Sequence, residues 1–246
     1  MSITTPAELE GMREIGAIVR QTLDALELAV TRGITTAELD AVALDIATRH
    51  GATSAPRAVY GFPGTVLLSV NDEIVHGVPG RRRLAEGDLI TLDVTLQKNG
   101  FVADAARTVA VGVVSPLAQK LSACAVSAFE AAVSVARAGV KVNQIGRTVN
   151  NEVRRHGFWP VPELSGHGIG RTIHEEPSVP NVYDRWQRDV LTDGMVITIE
   201  PIITAGSPKM TTDRDGWTIR TRDGSLAAHH EHTMVITNGA PLLLTA

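Results

Sequence analysis

The chain has 246 residues, enough for one large domain or two small ones and for a substantial buried core. Its formal net charge of −4, from 23 basic and 27 acidic residues, leaves no electrostatic footprint for nucleic acid, so no specific nucleic-acid partner is expected. The single cysteine, Cys124, excludes an internal disulfide framework, and its setting SACAVSAFEAAV reads as a helix interior holding an inert thiol.

The opening MSITTPAELEGMREIG has early acids and no apolar core of a secretion signal. No run approaches about 18 consecutive apolar residues, so a cytoplasmic protein without a membrane span is expected. Thr5-Pro6-Ala7-Glu8 predicts a helix start, with Thr5 as the cap and proline in the first turn. Ile15, Ile18, Val19, Leu23, Leu26 and Val30 then recur at helical spacing until Gly33. A second helix is predicted from about Thr36 to His50, stopped by Gly51. From Val59 to Val114, short β-branched runs broken by Gly, Pro and Asn predict strands and hairpins. Arg81-Arg82-Arg83 follows a Pro-Gly turn and reads as a solvated loop. Helical periodicity returns from Leu117 to Arg137 and from Asn143 to His156, and the chain from Gly166 onward is rich in strands and turns. Helix, helix, strands, twice over, predicts an α+β architecture of two similar halves, with any site at their join.

Five potential metal ligands stand in distinctive frames: Asp93 and Asp104 in LDVTLQKNGFVAD, His167 in SGHGIGRTIHEEP, Glu200 in VITIEP and Glu231 in HHEHT. Four carboxylates and one imidazole suit two divalent first-row metals sharing bridging carboxylates, and lack the thiolates of a structural zinc site. Such a set points to a metallohydrolase. Lys98-Asn99-Gly100 signals a hairpin, and a loop at 98–99 or at 99–100 puts Asp93 and Asp104 on one face, opposite or diagonal. Paired carboxylates there repel unless a cation lies between them. His167 sits among glycines that permit close backbone approach, and His174 follows seven residues later. Glu200 ends an apolar run, and Glu231 has a histidine on each side.

Together, VNDEIVHGVPG, DVTLQKNGFVADAARTV, GHGIGRTIHEEP, TIEP and DGWTIRTRDGSLAAHHEHT resemble the type I methionine aminopeptidases over nearly the whole chain. The resemblance implies the pita-bread fold, two pseudo-symmetric halves with a curved antiparallel sheet and helices on its outer face. It implies one catalytic domain over 1–246, with halves of roughly 1–114 and 115–246. Carried over by position, Asp93 would chelate one metal, Asp104 and Glu231 would bridge two, and His167 and Glu200 would complete the other shell. Co, Mn, Fe(II) and Zn all suit those ligands. His76 and His174 match the substrate-contacting histidines, and Glu200 the residue that shuttles the proton of the attacking water. The methionine slot would be walled by Val59, Phe62, Leu67, Ile173 and Trp217, with Val59, Leu67 and Ile173 where tyrosine, cysteine and phenylalanine are common. Implied partners are N-terminal Met peptides and nascent polypeptides, near the ribosomal exit tunnel, acted on by a monomer.

An X-Pro aminopeptidase or prolidase shares this ligand set, but those enzymes usually carry an extra N-terminal domain. A non-catalytic pita-bread binding module typically lacks ligands that this chain retains. Only 33 residues separate His167 from Glu200 and 31 separate Glu200 from Glu231, which leaves no room for the helical insertion of type II enzymes.

Overall fold

In the computed structural model, which describes residues 1–246, the first helix is set by its cap. Helix α1 spans Pro6–Ala29, with Thr5 Oγ1 accepting from Glu8 N–H at 3.2 Å and the Glu8 carboxylate returning to Thr5 N–H at 3.0 Å. It ends before the predicted Gly33, because Val30 already has extended backbone angles. Gly33, at φ +89°, instead makes the following turn and donates its N–H to Leu84 O at 2.7 Å. The same Thr–Glu device, Thr35 with Glu38, starts α2 at Thr36–Arg49, and Gly51 lies just beyond the His50 cap.

A short helix not expected from the sequence precedes the predicted strand region and runs into its first two residues, Val59 and Tyr60. After the short β1 at Thr53–Ser54, Ser54 caps a six-residue helix α3, Ala55–Tyr60, with Pro56 in its first turn and Gly61 in the left-handed region as its stop. Strands β2 (Leu67–Val70), β3 (Glu73–Val75), β4 (Leu89–Lys98) and β5 (Phe101–Ala110) follow. The second half repeats the helix pair as α4 (Pro116–Val135) and α5 (Val142–Arg155). Its strands are β6 (Trp159–Pro160), β7 (Ser165–Gly168), β8 (Glu175–Pro180), β9 (Val196–Ile199) and β10 (Ile202–Thr204). They continue as β11 (Met210–Thr212), β12 (Ile219–Thr221), β13 (Ala227–Val235) and β14 (Leu242–Leu243).

Eleven strands form one antiparallel sheet whose main path is β1-β4-β5-β13-β9-β7-β8. The halves meet where β5 pairs with β13. The four long helices α1, α2, α4 and α5 lie on one face, and strand alternation explains this. On β4, Ile90, Leu92, Val94 and Leu96 join a 28-residue core under α1 and α2, while Thr91, Asp93 and Thr95 point the other way. On β13, Ala228 and Met234 join a 23-residue core under α4 and α5. Each fully buried Leu or Ile contributes roughly 1.5–3 kcal/mol, so Leu92→Ala would cost about 2–5 kcal/mol and loosen the strand bearing Asp93.

A smaller sheet, β11-β12-β3, stands beside the open face. Arg220 on β12 binds Asp72 at 3.0 Å, Glu73 at 2.8 Å and Asp213 at 2.7 Å. Arg82 adds a 2.8 Å bond to Glu73, so the arginine run read as a solvated loop also braces this sheet. That bracing holds the residues just after β3 and just before β12, His76 and Trp217, over the main sheet. No helix is long and apolar enough to cross a membrane.

Candidate metal centre and adjoining slot

The β4–β5 hairpin determines where two of the carboxylates fall. Asn99 and Gly100, both at positive φ (52° and 78°), form its two-residue loop, and Lys98 pairs with Phe101. That register sets Thr95 opposite Asp104 and Asp93 opposite Ala106, so the two aspartates are diagonal neighbours on the face without helices. On the other side of β5, Glu231 of β13 also pairs with Ala106. Asp93 and Glu231 therefore flank a residue whose side chain is a single methyl, and room is left above it.

Threonines then lock the strands. Thr233 Oγ1 accepts from Asp104 N–H at 2.9 Å and donates to Asp104 O at 2.7 Å. Glu200 lies one residue past β9, beyond the Ile199–His232 pair, and its carbonyl accepts from Asn181 Nδ2 at 2.9 Å. Thr198 Oγ1 donates to Glu200 Oε2 at 2.7 Å and accepts from His167 N–H at 3.1 Å. His167 Nδ1 donates to Gly168 O at 2.9 Å, which leaves the Nε2 lone pair turned to the cleft, 3.6 Å from Glu200 Oε2. Gly168 is required here because a Cβ would collide with the backbone carbonyl of Glu176.

These residues line a cleft of about 390 Å³ that also holds His76, His174 and His229. Burial dominates its electrostatics. It pushes Asp104 up to about 6 and Glu200 up to about 8, the latter despite the Thr198 hydrogen bond. It raises Asp93 and Glu231 well above the carboxylate range, reinforced by the charges of Asp104 and Glu200. It lowers His167 to about 4 and also lowers His76 and His174, so these imidazoles are neutral at pH 7. Asp104 Oδ1 and Glu231 Oε1 are buried without any hydrogen-bond partner. Donor atoms of Asp104, His167 and Glu231 lie within 4.8 Å of one another. Converging, unpartnered oxygen donors with a neutral imidazole fit a divalent cation, which supplies the missing positive charge.

Beside the cleft opens a largely apolar slot of about 280 Å³, lined by Tyr60, Phe62, Leu67, Ile173 and Trp217, with His76 and His174 at its mouth. Phe62 and Trp217 meet edge to face with ring centroids 5.3 Å apart. The rings of His167 and His174 are 4.3 Å apart, which places the slot mouth against the carboxylate cluster. His76 keeps φ +60°, a conformation uncommon for a residue with a side chain, at the junction of the two spaces.

Four of the five predicted wall residues are there. The fifth, Val59, is not: it is 53% exposed and lines neither space. Consecutive residues of a helix diverge by about 100°, so in α3 it is Tyr60 that turns inward. Its hydroxyl lies 2.7 Å from His174 Nδ1. His229 was also missed. Its neighbours His230 and His232 sit beside Glu231 in sequence but face Phe129 of α4, whereas His229 shares the face of Glu231. The period of two in a strand was the available signal. Cys124 is buried in α4 with its thiol pushed up to about 11 by burial, as an inert thiol should be.

Residues 10–238 match the model of metallopeptidase family M24. The chain is 38% identical to methionine aminopeptidase 2 of Bacillus subtilis, covering 100% of this chain and 99% of that protein. Its structure superposes on the crystal structure of methionine aminopeptidase from Thermotoga maritima with a TM-score of 0.96 and 32% identity, covering 100% and 99% of the two chains. Prolidase from Pyrococcus furiosus shares the fold at a TM-score of 0.81 and 23% identity, but this chain spans only 65% of it.

Proposed function

The chain belongs to metallopeptidase family M24, and from that premise we propose that it is a methionine aminopeptidase, removing an N-terminal methionine when the second residue is small and uncharged. The observation that carries this reading is the buried cluster of unpartnered carboxylate oxygens opening directly onto a thioether-sized apolar slot. Divalent metal use follows from the family and the donor set. Asp93, Asp104, His167, Glu200 and Glu231 would hold two such ions, with Co, Mn, Fe(II) or Zn as suitable occupants. Bound there, the ions supply Lewis acidity that polarises the scissile carbonyl and activates water.

The remaining steps belong to side chains. The methionine side chain enters the slot, where the Phe62 and Trp217 rings offer sulfur–aromatic contacts. With Tyr60 donating to Nδ1, His174 carries its proton on Nε2 and donates it to the carbonyl oxygen as negative charge develops. His76, at the junction of slot and cleft, faces the scissile nitrogen and hydrogen-bonds the leaving amine. Glu200, held by Thr198, takes the proton of the attacking water and passes it to the leaving amine nitrogen as the C–N bond breaks. The second residue of the substrate must fit against the crowded carboxylate cluster, which favours small side chains.

We further read residues 1–246 as a single catalytic domain acting as a cytoplasmic monomer on N-terminal Met peptides and on nascent polypeptides at the ribosomal exit tunnel. The function is tested with Met-Ala-Ser, Met-Lys-Ser, Leu-Ala-Ser and Ala-Pro peptides on metal-reconstituted protein. Rapid turnover of the first alone is expected; equal turnover of all four, or preference for Ala-Pro, would overturn it.

A further inference from the structure

The least explained group in the cleft is His229. It is 2% exposed, and neither ring nitrogen has a hydrogen-bond partner. A fully buried imidazole with both nitrogens unpaired is costly, and such groups ordinarily persist for a functional reason. Its backbone does not allow the ring to retreat. The N–H donates to Thr108 Oγ1 at 2.8 Å, the carbonyl accepts from the same hydroxyl at 3.0 Å, and on the other side His229 pairs with Ile202 of β10. Standing two residues before Glu231 on β13, it projects from the same face, with Nε2 3.4 Å from Glu231 Oε2. The other Glu231 oxygen, Oε1, has no partner either. An imidazole with two unpaired nitrogens thus stands beside a carboxylate that is itself only partly satisfied, on a strand too tightly bonded to shift.

We propose that His229 is the positioning residue for Glu231: as a neutral imidazole it donates Nε2–H to Oε2 and holds the carboxylate in the orientation that metal ions require. This rests on the reading of Glu231 as a metal ligand. A carboxylate shared between cations keeps one lone pair on each oxygen, and a neutral donor to that lone pair stabilises it without competing for the metal. The imidazole is buried on a paired strand, within 3.4 Å of Oε2, so a small turn of the Glu231 carboxylate closes the bond. Position 229 thereby sets metal affinity, while His230 and His232, on the opposite face, do not.

The test compares wild type, His229→Leu, His229→Gln and Glu231→Gln by calorimetric titration with Mn(II) and by the visible spectrum of the Co(II)-loaded proteins. His229→Leu is expected to weaken Mn(II) binding about 10–100-fold with unchanged stoichiometry and to shift the Co(II) bands. His229→Gln, which keeps an N–H donor at similar reach, should restore most of both. Wild-type affinity and spectrum in His229→Leu overturn the proposal, and so does loss of one bound ion, which would make His229 a ligand. Unchanged metal binding in Glu231→Gln would instead refute the ligand role of Glu231. Independently of any variant, 15N-histidine NMR of the Zn(II)-loaded wild type should show His229 protonated on Nε2; protonation on Nδ1 overturns the assignment even if His229→Leu does not fold.

Discussion

The Tyr60 hydroxyl lies 2.7 Å from Nδ1 of His174, although 114 residues separate them in the chain. The short helix α3 brings the phenol to the slot from the first half, and the loop before β8 brings the imidazole from the second. A phenol that donates to Nδ1 holds the neutral ring in the tautomer with the proton on Nε2.

Removal of the Tyr60 hydroxyl should therefore act through His174. Tyr60→Phe is expected to lower kcat roughly five-fold, the equivalent of about 1 kcal/mol for one neutral hydrogen bond, with little change in KM. His174→Ala should lower kcat by about 10²–10³ while metal content stays normal. Steady-state kinetics on Met-Ala-Ser with metal analysis checks both. An unchanged kcat in Tyr60→Phe would mean the phenol is only part of the wall, and loss of a metal in His174→Ala would make that residue a ligand.

If Asp104 and Glu231 are the shared ligands proposed, Asp104→Asn and Glu231→Gln should each abolish binding of the second ion and reduce turnover by at least about 100-fold, because each would supply charge to both cations. Stoichiometry by elemental analysis beside peptide turnover is the measurement. Near-normal turnover with two ions in Asp104→Asn would show that the shared ligand is misassigned.

Metal removal should make stability pH-sensitive in a definite direction. In the metal-free fold, burial raises Glu200 from 4.5 to about 8 and Asp104 from 3.8 to about 6. The folded state then binds these protons more tightly than the unfolded chain. Their stabilising contribution is complete below the unfolded values and is lost as pH rises through about 6 and about 8. The buried histidines oppose this only at lower pH, where they must remain uncharged. Chelated protein should consequently show a lower Tm at about pH 8.5 than at about pH 6.5, and bound divalent metal should remove most of the difference. Scanning calorimetry decides; equal Tm values for the chelated protein would contradict the carboxylate argument.

The slot permits a prediction about selectivity. Ile173, at 5% exposure, forms part of its wall. Ile173→Phe should narrow the slot, disfavouring norleucine and bulkier inhibitors by about 1–3 kcal/mol while leaving Met-Ala cleavage largely intact. Competition kinetics reports this; loss of Met-Ala cleavage with bulky ligands still bound would take Ile173 out of the wall. Leu67 offers no thiol and Cys124 is buried, so iodoacetamide should leave activity unchanged, and rapid inactivation would contradict that.

Local chemistry alone made much of this molecule legible. The Thr5-Pro6 helix start, the Lys98-Asn99-Gly100 turn and the apolar residues alternating around Asp93 are short-range signals, written within a few residues of where they act. They were enough to place Asp93 and Asp104 on one face, since hairpin register depends only on loop length. The helix stop at Val30 and the existence of α3 were not legible, because apolar spacing does not distinguish a short helix or an early end from its neighbours. Position 59 or 60 in the slot wall, and His229 rather than His230 or His232 beside Glu231, were decided by tertiary structure. Periodicity states on which side of its own element a residue stands. Which side becomes the cleft depends on β5 pairing with β13 across more than 120 residues, a contact to which both halves contribute and which neither encodes by itself.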